Sequence, residues 1–316
     1  MVNRYRPYSE FLKTHFGTKV YKVALDAGFT CPNRDGTVAK GGCTFCAEGS
    51  RAEYVNPTLP LREQLEAGME KYRKKYGAKK FIAYFQAFTN THGPIKLLRQ
   101  VLREPLCHPD VVGISVGTRP DCVAQEVLDL LGEIARERYF LLEMGIQSFD
   151  DSILRWINRG HDVATFLDAV VRAKAKGLRV CAHVILGFPG ESLSSVVRMA
   201  KTLSELGIDG IKIHNLHVIR QTPLAKTYLE GKLPMISQDQ YVSRVRHLLE
   251  NLHPSIWVHR LTGEAPASEM LAPDWALDKG TLRKAIQSEL DKNNSFQGKA
   301  LQSNSAPTAV LIDQIR

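Results

Sequence analysis

Six times between residues 20 and 216 a short apolar run gives way to a longer amphipathic one, and this alternation constrains the fold more than any other feature. The strand-like runs are 20–27, 81–85, 111–116, 140–146, 180–186 and 211–216. Between them apolar residues recur at helical spacing, as in Leu61, Leu65, Met69, Tyr72 and Tyr76. Further helices are predicted over about 95–102, 123–134, near 153, over 166–175 and over 196–206. Consecutive parallel strands need helical crossovers, and those crossovers are right-handed, so the expected fold is α/β, a partial (β/α)6 parallel barrel. Folds of this kind carry their chemistry on loops past the carboxyl ends of strands, which makes each polar residue there a candidate.

The pattern changes beyond residue 222. We read 1–18 as an N-terminal extension, 19–222 as the barrel, 223–292 as a C-terminal α+β extension packing on it, and 293–316 as a flexible tail. Within that extension a helix is predicted over 241–252, a strand over 256–261 and a helix over 274–290. At 316 residues and 44% apolar content the chain can bury one large core. Neither an apolar leader core in the first ten residues nor a run of about 18 apolar residues occurs, so a cytoplasmic protein without a membrane partner is expected.

Six irregularly spaced cysteines point to metal or redox chemistry rather than a disulfide framework. Cys31, Cys43 and Cys46 share one Gly- and Pro-bearing loop directly after the first strand. Three thiolates can hold an open iron–sulfur cluster, leaving one iron for a ligand that is not protein. Structural zinc and incidental core thiols are the alternatives, and no fourth Cys or His lies between Cys46 and His92. Cys107, Cys122 and Cys181 read as buried structural thiols.

The net charge of +9 favours a polyanionic partner, with RNA fitting well. Its densest part, Lys71-Tyr72-Arg73-Lys74-Lys75-Tyr76 with Lys79 and Lys80, interleaves tyrosines with cations as stacking plus phosphate contact would require. The competing reading is a solvated helix face whose tyrosines reach the core. Past the strands lie Gln86, Thr89 and Asn90, then Arg119 with Asp121, then Glu143 and Gln147, then His183-Val184-Ile185-Leu186-Gly187, then His214 and His217. Arg220 and Arg260 read first as solvated surface and second as anion binders.

These residues resemble the radical SAM superfamily, in the branch of the Elongator catalytic subunit and oxygen-independent coproporphyrinogen oxidase, and most closely the bacterial group typified by YhcC and YtqA. The resemblance runs from about Tyr5 to Lys284 and rests on the cysteine loop, Gly117-Thr118-Arg119-Pro120-Asp121, Leu142-Glu143-Met144-Gly145-Ile146-Gln147-Ser148, Gly187-Phe188-Pro189-Gly190 and Ile213-His214-Asn215-Leu216-His217. Eleven residues separate Cys31 from Cys43, where the superfamily usually has three; the Elongator branch is also lengthened here. In the fifth-strand motif His183 replaces a Gly, and Gly190 holds the Glu position with Glu191 one place later.

The resemblance implies a [4Fe–4S] cluster on Cys31, Cys43 and Cys46, and S-adenosylmethionine as the cofactor it cleaves reductively. It places Gln86, Thr89 and Asn90 near the methionine moiety, Arg119 near its carboxylate or the substrate, Glu143 and Gln147 near the ribose, and Val184, Ile185 and Gly187 near adenine. His183, His214 and His217 are the catalytic candidates, able to relay a proton or donate to a substrate carboxylate. The partners implied are tRNA, modified at a wobble-uridine C5 side chain, and an electron donor such as flavodoxin or ferredoxin. A porphyrinogen-like small molecule and a zinc-stabilised RNA-binding module are the rival readings.

Overall fold

The computed structural model describes residues 3–47 and 54–302. Its centre is a seven-stranded sheet in which every neighbouring pair is parallel. The strands are β1 (Val20–Leu25), β2 (Lys80–Phe85), β3 (Val111–Thr118), β4 (Tyr139–Gln147), β5 (Arg179–Leu186), β6 (Gly210–Asn215) and, after a two-residue strand β7 (Val218–Ile219), β8 (Trp257–Arg260). The order is β1-β2-β3-β4-β5-β6-β8, with β1 and β8 as unjoined edges, so the sheet is an open, curled half-barrel. β7 pairs with β9 (Met270–Ala272) in a separate antiparallel ribbon.

The helices are α1 (Tyr8–Phe16), α2 (Pro32–Asp35), α3 (Leu61–Tyr76), α4 (Ile95–Arg103), α5 (Gln125–Glu137), α6 (Asp151–Trp156), α7 (Val163–Ala175), α8 (Leu193–Glu205), α9 (Pro223–Leu229), α10 (Gln238–Asn251), α11 (Lys279–Lys292) and α12 (Lys299–Gln302). Side-chain caps start many of them, as Asp162 does for α7 and Ser192 for α8. None of the described helices is long and apolar enough to cross a membrane.

Strand alternation divides the interior in two. On β4, Phe140, Leu142, Met144 and Ile146 join the large core beneath the helices, with Leu98, Leu128, Phe166 and Val196. Tyr139 and Leu141 face the concave side and form a second cluster with Tyr8, Leu12, Ile82 and Cys181. Each such fully buried aliphatic or aromatic side chain contributes roughly 1.5–3 kcal/mol, so this second cluster seals the amino-terminal mouth of the lumen with α1 as its plug. The Tyr8 and Tyr139 hydroxyls share a 2.7 Å hydrogen bond there.

Three boundaries differ from the sequence reading. The strand assigned to the C-terminal extension is β8, which completes the main sheet beside β6, because its apolar Val258 packs in the same core. The N-terminal extension carries α1, and the segment before it bridges to β8, where Val258 N–H donates to Arg6 O at 2.8 Å. The presumed tail is ordered as far as Gln302: Ser295 and Gln297 are buried, and the Gln297 amide donates to His253 O and Ile256 O. The apolar run at 309–312 lies outside the described residues.

On α3, Tyr72 and Tyr76 stack on Tyr21 at 5.4 and 5.3 Å, Arg73 pairs with Asp110, and Lys74, Lys75 and Lys79 remain exposed. Both tyrosines thus pack against Tyr21 of β1, although Tyr76 keeps about half its surface exposed beside the lysines. Of the three other cysteines, Cys181 is buried as expected; Cys107 is exposed, and Cys122 is half-buried.

Candidate active site

Local backbone chemistry closes the long gap between the first two cysteines of the loop. Cys31 precedes the single turn of α2, its carbonyl accepting from Arg34 N and Asp35 N. Gly41 and Gly42 both take left-handed φ, at 81° and 78°, and turn the chain back so that Gly42 N–H reaches Asn33 O at 2.8 Å. Cys46 N–H then donates to Cys43 O at 3.0 Å, which folds these two residues into one turn. Arg34 ties the end of the loop by donating to Cys46 O at 2.6 Å. Burial pushes the Cys46 thiol up, with Cys43 and Cys31 close enough to add to it and Arg34 opposing.

The segment after α6 forms the other wall. Thr44 N–H donates to Ile157 O at 2.9 Å, the Asn158 amide donates to Gly42 O at 2.8 Å, and Asn33 donates to Asn158 O. Arg159 Nη1 and Asn33 Nδ2 point at Cys43 Sγ from 3.5 and 3.6 Å. Gly160 has φ of 75°, and a Cβ there would lie 2.5 Å from Asn33 Oδ1. Gly160→Ala is therefore expected to cost about 1–2 kcal/mol in backbone conformation alone and to lower the iron bound per chain. Thermal unfolding and iron analysis check both, and unchanged iron content would show that this wall does not shape the loop.

The donor set fits an anionic cluster. Arg119 is buried and grips Asp121 through Nε and Nη2 at 2.9 and 2.8 Å, and its Nη1 has no partner among the described residues. Arg159 Nε is also buried and unpartnered. Two guanidinium donors left open beside three thiols suit a negatively charged group better than a neutral core. Among the described residues no three Cys, His, Asp or Glu gather as one metal ion would need, and a cubane takes its three thiolates on separate irons. The sequence reading missed Arg159, because nothing in the order of residues shows that a loop 116 residues from Cys43 packs on it.

Around the remaining strand ends the predicted residues divide. Gln86 is half-buried at the end of β2, and Thr89 is buried with Oγ1 unpartnered. Asn90 differs from expectation: its amide nitrogen donates to Phe85 O, Ala87 O and Gly117 O, so it braces the loop and only its oxygen remains open. Gln147 sits at a register irregularity with φ of 73°, half-buried on the rim. Val184 and Ile185 both belong to the large core cluster; strand alternation puts Ile185 on the His183 face of β5, and Val184 can face a ligand only through its backbone. Glu191 reaches back to Gly187 N–H at 2.8 Å and so braces the turn from one place later in the motif; burial raises its carboxyl to about 7.

Glu143 is the largest correction. Its side chain is 0% exposed and fully paired: Lys22 Nζ at 2.5 Å, Ser115 Oγ at 2.8 Å, His183 Nε2 at 2.7 Å, and Lys212 Nζ. No lone pair is left for a ribose hydroxyl. Burial alone would raise this carboxyl, but Lys212, Lys22 and His183 outweigh it and hold it well below the usual carboxylate range. Burial and Lys212 lower His183 to about 4, so the imidazole is neutral at pH 7 and serves to position Glu143. Lys212 itself is pushed down to about 8 by burial, and its ammonium also donates to Tyr84 OH at 3.1 Å.

His214 stands near the carboxyl end of β6 and His217 just past it. Both are lowered by burial, His214 well below the usual range and His217 to about 4. Neither Nε2 has a partner among the described residues. A Cβ on Gly263 would come within 2.8 Å of His217 and 3.4 Å of His214, so that glycine makes room for both rings. Arg220 is exposed, as expected, but Arg260 is not solvated surface: the irregularity in β8 pairing sets it opposite Lys212, half-buried.

The chain was compared with known proteins. The family model of the Radical SAM superfamily matches residues 31–203, and that of the Radical_SAM C-terminal domain matches residues 208–292. YtqA of Bacillus subtilis is 43% identical over 300 residues, covering 95% of this chain and 93% of that protein. YhcC of Escherichia coli is 37% identical over 291 residues, covering 92% and 93%. Elongator complex protein 3 of Saccharomyces cerevisiae is 28% identical over 176 residues, 55% of this chain and 30% of that one. Among solved structures, the archaeal Methanocaldococcus infernus Elp3 with an N-terminal deletion has the same fold, with a TM-score of 0.66 at 18% identity over 88% of this chain and 64% of that one.

Proposed function

This chain belongs to the radical SAM superfamily, whose enzymes bind S-adenosylmethionine and a [4Fe–4S] cluster, and from that premise we propose that it modifies tRNA at the C5 side chain of the wobble uridine. The concrete version is conversion of a carboxymethylaminomethyl group to aminomethyl, in which the N–CH₂ carbon next to the carboxylate would be oxidised by two electrons and its C–N bond hydrolysed by water, the two-carbon fragment leaving as glyoxylate and S-adenosylmethionine ending as methionine and 5′-deoxyadenosine. The observation that carries this reading is the sequence similarity to Elongator complex protein 3 over 176 residues, supported by the net charge of +9.

Cys31, Cys43 and Cys46 hold the cluster, and Arg159, Arg119 and Asn33 face it with donors. The chemistry supplied by the bound groups is one-electron cleavage of the sulfonium to a 5′-deoxyadenosyl radical that takes hydrogen from a substrate carbon. An electron donor of the flavodoxin or ferredoxin type supplies the electron. Gln86, Thr89 and the Asn90 oxygen line the methionine side, Gln147 the ribose, and Ile185 and Gly187 the adenine. The chain's main contribution is orientation and exclusion of water, since a carbon radical must meet a single C–H bond. The α1 plug closes the far mouth with Tyr8 and Leu12, leaving the rim of the cysteine loop as the way in.

Cells lacking the protein are expected to accumulate carboxymethylaminomethyluridine and to lose aminomethyluridine and whatever is made from it. Nucleoside mass spectrometry of their tRNA measures both, and unchanged wobble uridines would remove this reading.

A further inference from the structure

The lumen holds more positive charge than it neutralises. Lys22 and Lys212 share one carboxylate, Glu143. Arg260, opposite Lys212 in the sheet, adds a third cation and has no carboxylate or carbonyl partner among the described residues. Its register partner Lys212 points to Glu143 and to Tyr84 OH within the lumen, and residues paired across neighbouring strands share a face, so the guanidinium belongs to the concave side. The neighbouring imidazoles of His214 and His217 are neutral, and their Nε2 atoms are buried without partners. The guanidinium is half-buried and is not used by any carboxylate among the described residues, so it is free to pair with an anionic ligand in the lumen. The Cys loop follows β1, whereas Arg260 lies on β8, the other edge strand of the sheet.

We propose that Arg260, with His214 beside it, is the specificity-determining site for a carboxylate on the substrate. This rests on the tRNA reading above, whose carboxymethylaminomethyl group carries such a carboxylate, and deepens it. Arg260 and His214 then hold the end of the side chain, and its CH₂ groups lie toward the cofactor side of the lumen.

The test uses the complete protein, reconstituted anaerobically with cluster and S-adenosylmethionine but no reductant. Two anticodon stem-loop RNAs serve as probes, one with carboxymethylaminomethyluridine and one with its neutral carboxamide, at a single salt concentration. Wild type is expected to bind the carboxylate RNA about 10- to 100-fold more tightly, the range for a charge-assisted pair. In Arg260→Gln this ratio should fall to about one, and Arg260→Lys should retain part of it. Equal affinities in wild type, or an unchanged ratio in Arg260→Gln, would overturn the proposal. So would weakened binding of S-adenosylmethionine alone in Arg260→Gln, which would assign the arginine to the cofactor. Because wild type reads both RNAs without substitution, a poorly folded variant does not rescue the idea. Adding reductant separates the two levels: no turnover of the carboxylate RNA by wild type refutes the tRNA reading itself.

Discussion

Replacing Cys31, Cys43 or Cys46 by Ala, one at a time, is expected to abolish reductive cleavage of S-adenosylmethionine while leaving the barrel folded. With only three thiolates available to the cluster, each loss removes a third of its protein ligands. The fold should survive because none of the three cysteines belongs to either apolar cluster, and Cys31 and Cys46 are only half-buried. After anaerobic reconstitution the variants should lack brown absorbance, hold iron at background, and release no 5′-deoxyadenosine with dithionite. Cys107→Ser, exposed and remote from the loop in sequence, is the control that keeps wild-type iron. Wild-type iron and turnover in Cys43→Ala would show that the cluster is held elsewhere.

Glu143→Gln is expected to have the largest effect on stability. Removing one member of a buried ion pair leaves the other charged and unpaired, a loss of about 3–5 kcal/mol, and here two lysines depend on the same carboxylate. Urea unfolding at pH 7 measures it, and a change under about 1 kcal/mol would refute the network's role. Adding Lys212→Met should recover part of the loss, since it removes one of the stranded charges.

The pH dependence follows from the direction of the shift. The folded carboxyl of Glu143 is held below its unfolded value of about 4.3. Its stabilisation is therefore complete above that value and disappears as pH falls through the lower folded one, where wild type and variant should converge. Lys212 is also shifted down, so stability again rises with pH through its window: with a folded value of about 8 against 10.5 unfolded, burying its charge costs stability at neutral pH, and that cost is relieved between pH 8 and 10.5.

The strands were legible because each is an apolar run that a sheet buried on both faces requires, and observed ends such as those of β4 and β5 fall within one residue of the expected ones. The cysteine loop was legible because its ligands are close in sequence. Residues brought together only by folding were not. Arg159 reaches Cys43 across 116 positions, and Gln297 pairs with the backbone at Arg6 across 291. Glu143 illustrates the same limit in a residue that was singled out: its place after a strand suggested a ribose contact, and the convergence of Lys22, Ser115, His183 and Lys212 from four other strands gave it different partners.

By itself, then, the amino-acid order determined the parallel α/β architecture and singled out the cysteine trio as the candidate cluster site, since period and short spacing are local properties. Only the tertiary structure decided that β8 and α1 complete the barrel, and that Glu143 is consumed while Arg260 stands unpaired. The physical reason is that charge balance inside a lumen depends on which strands face one another, and curvature of the sheet sets that.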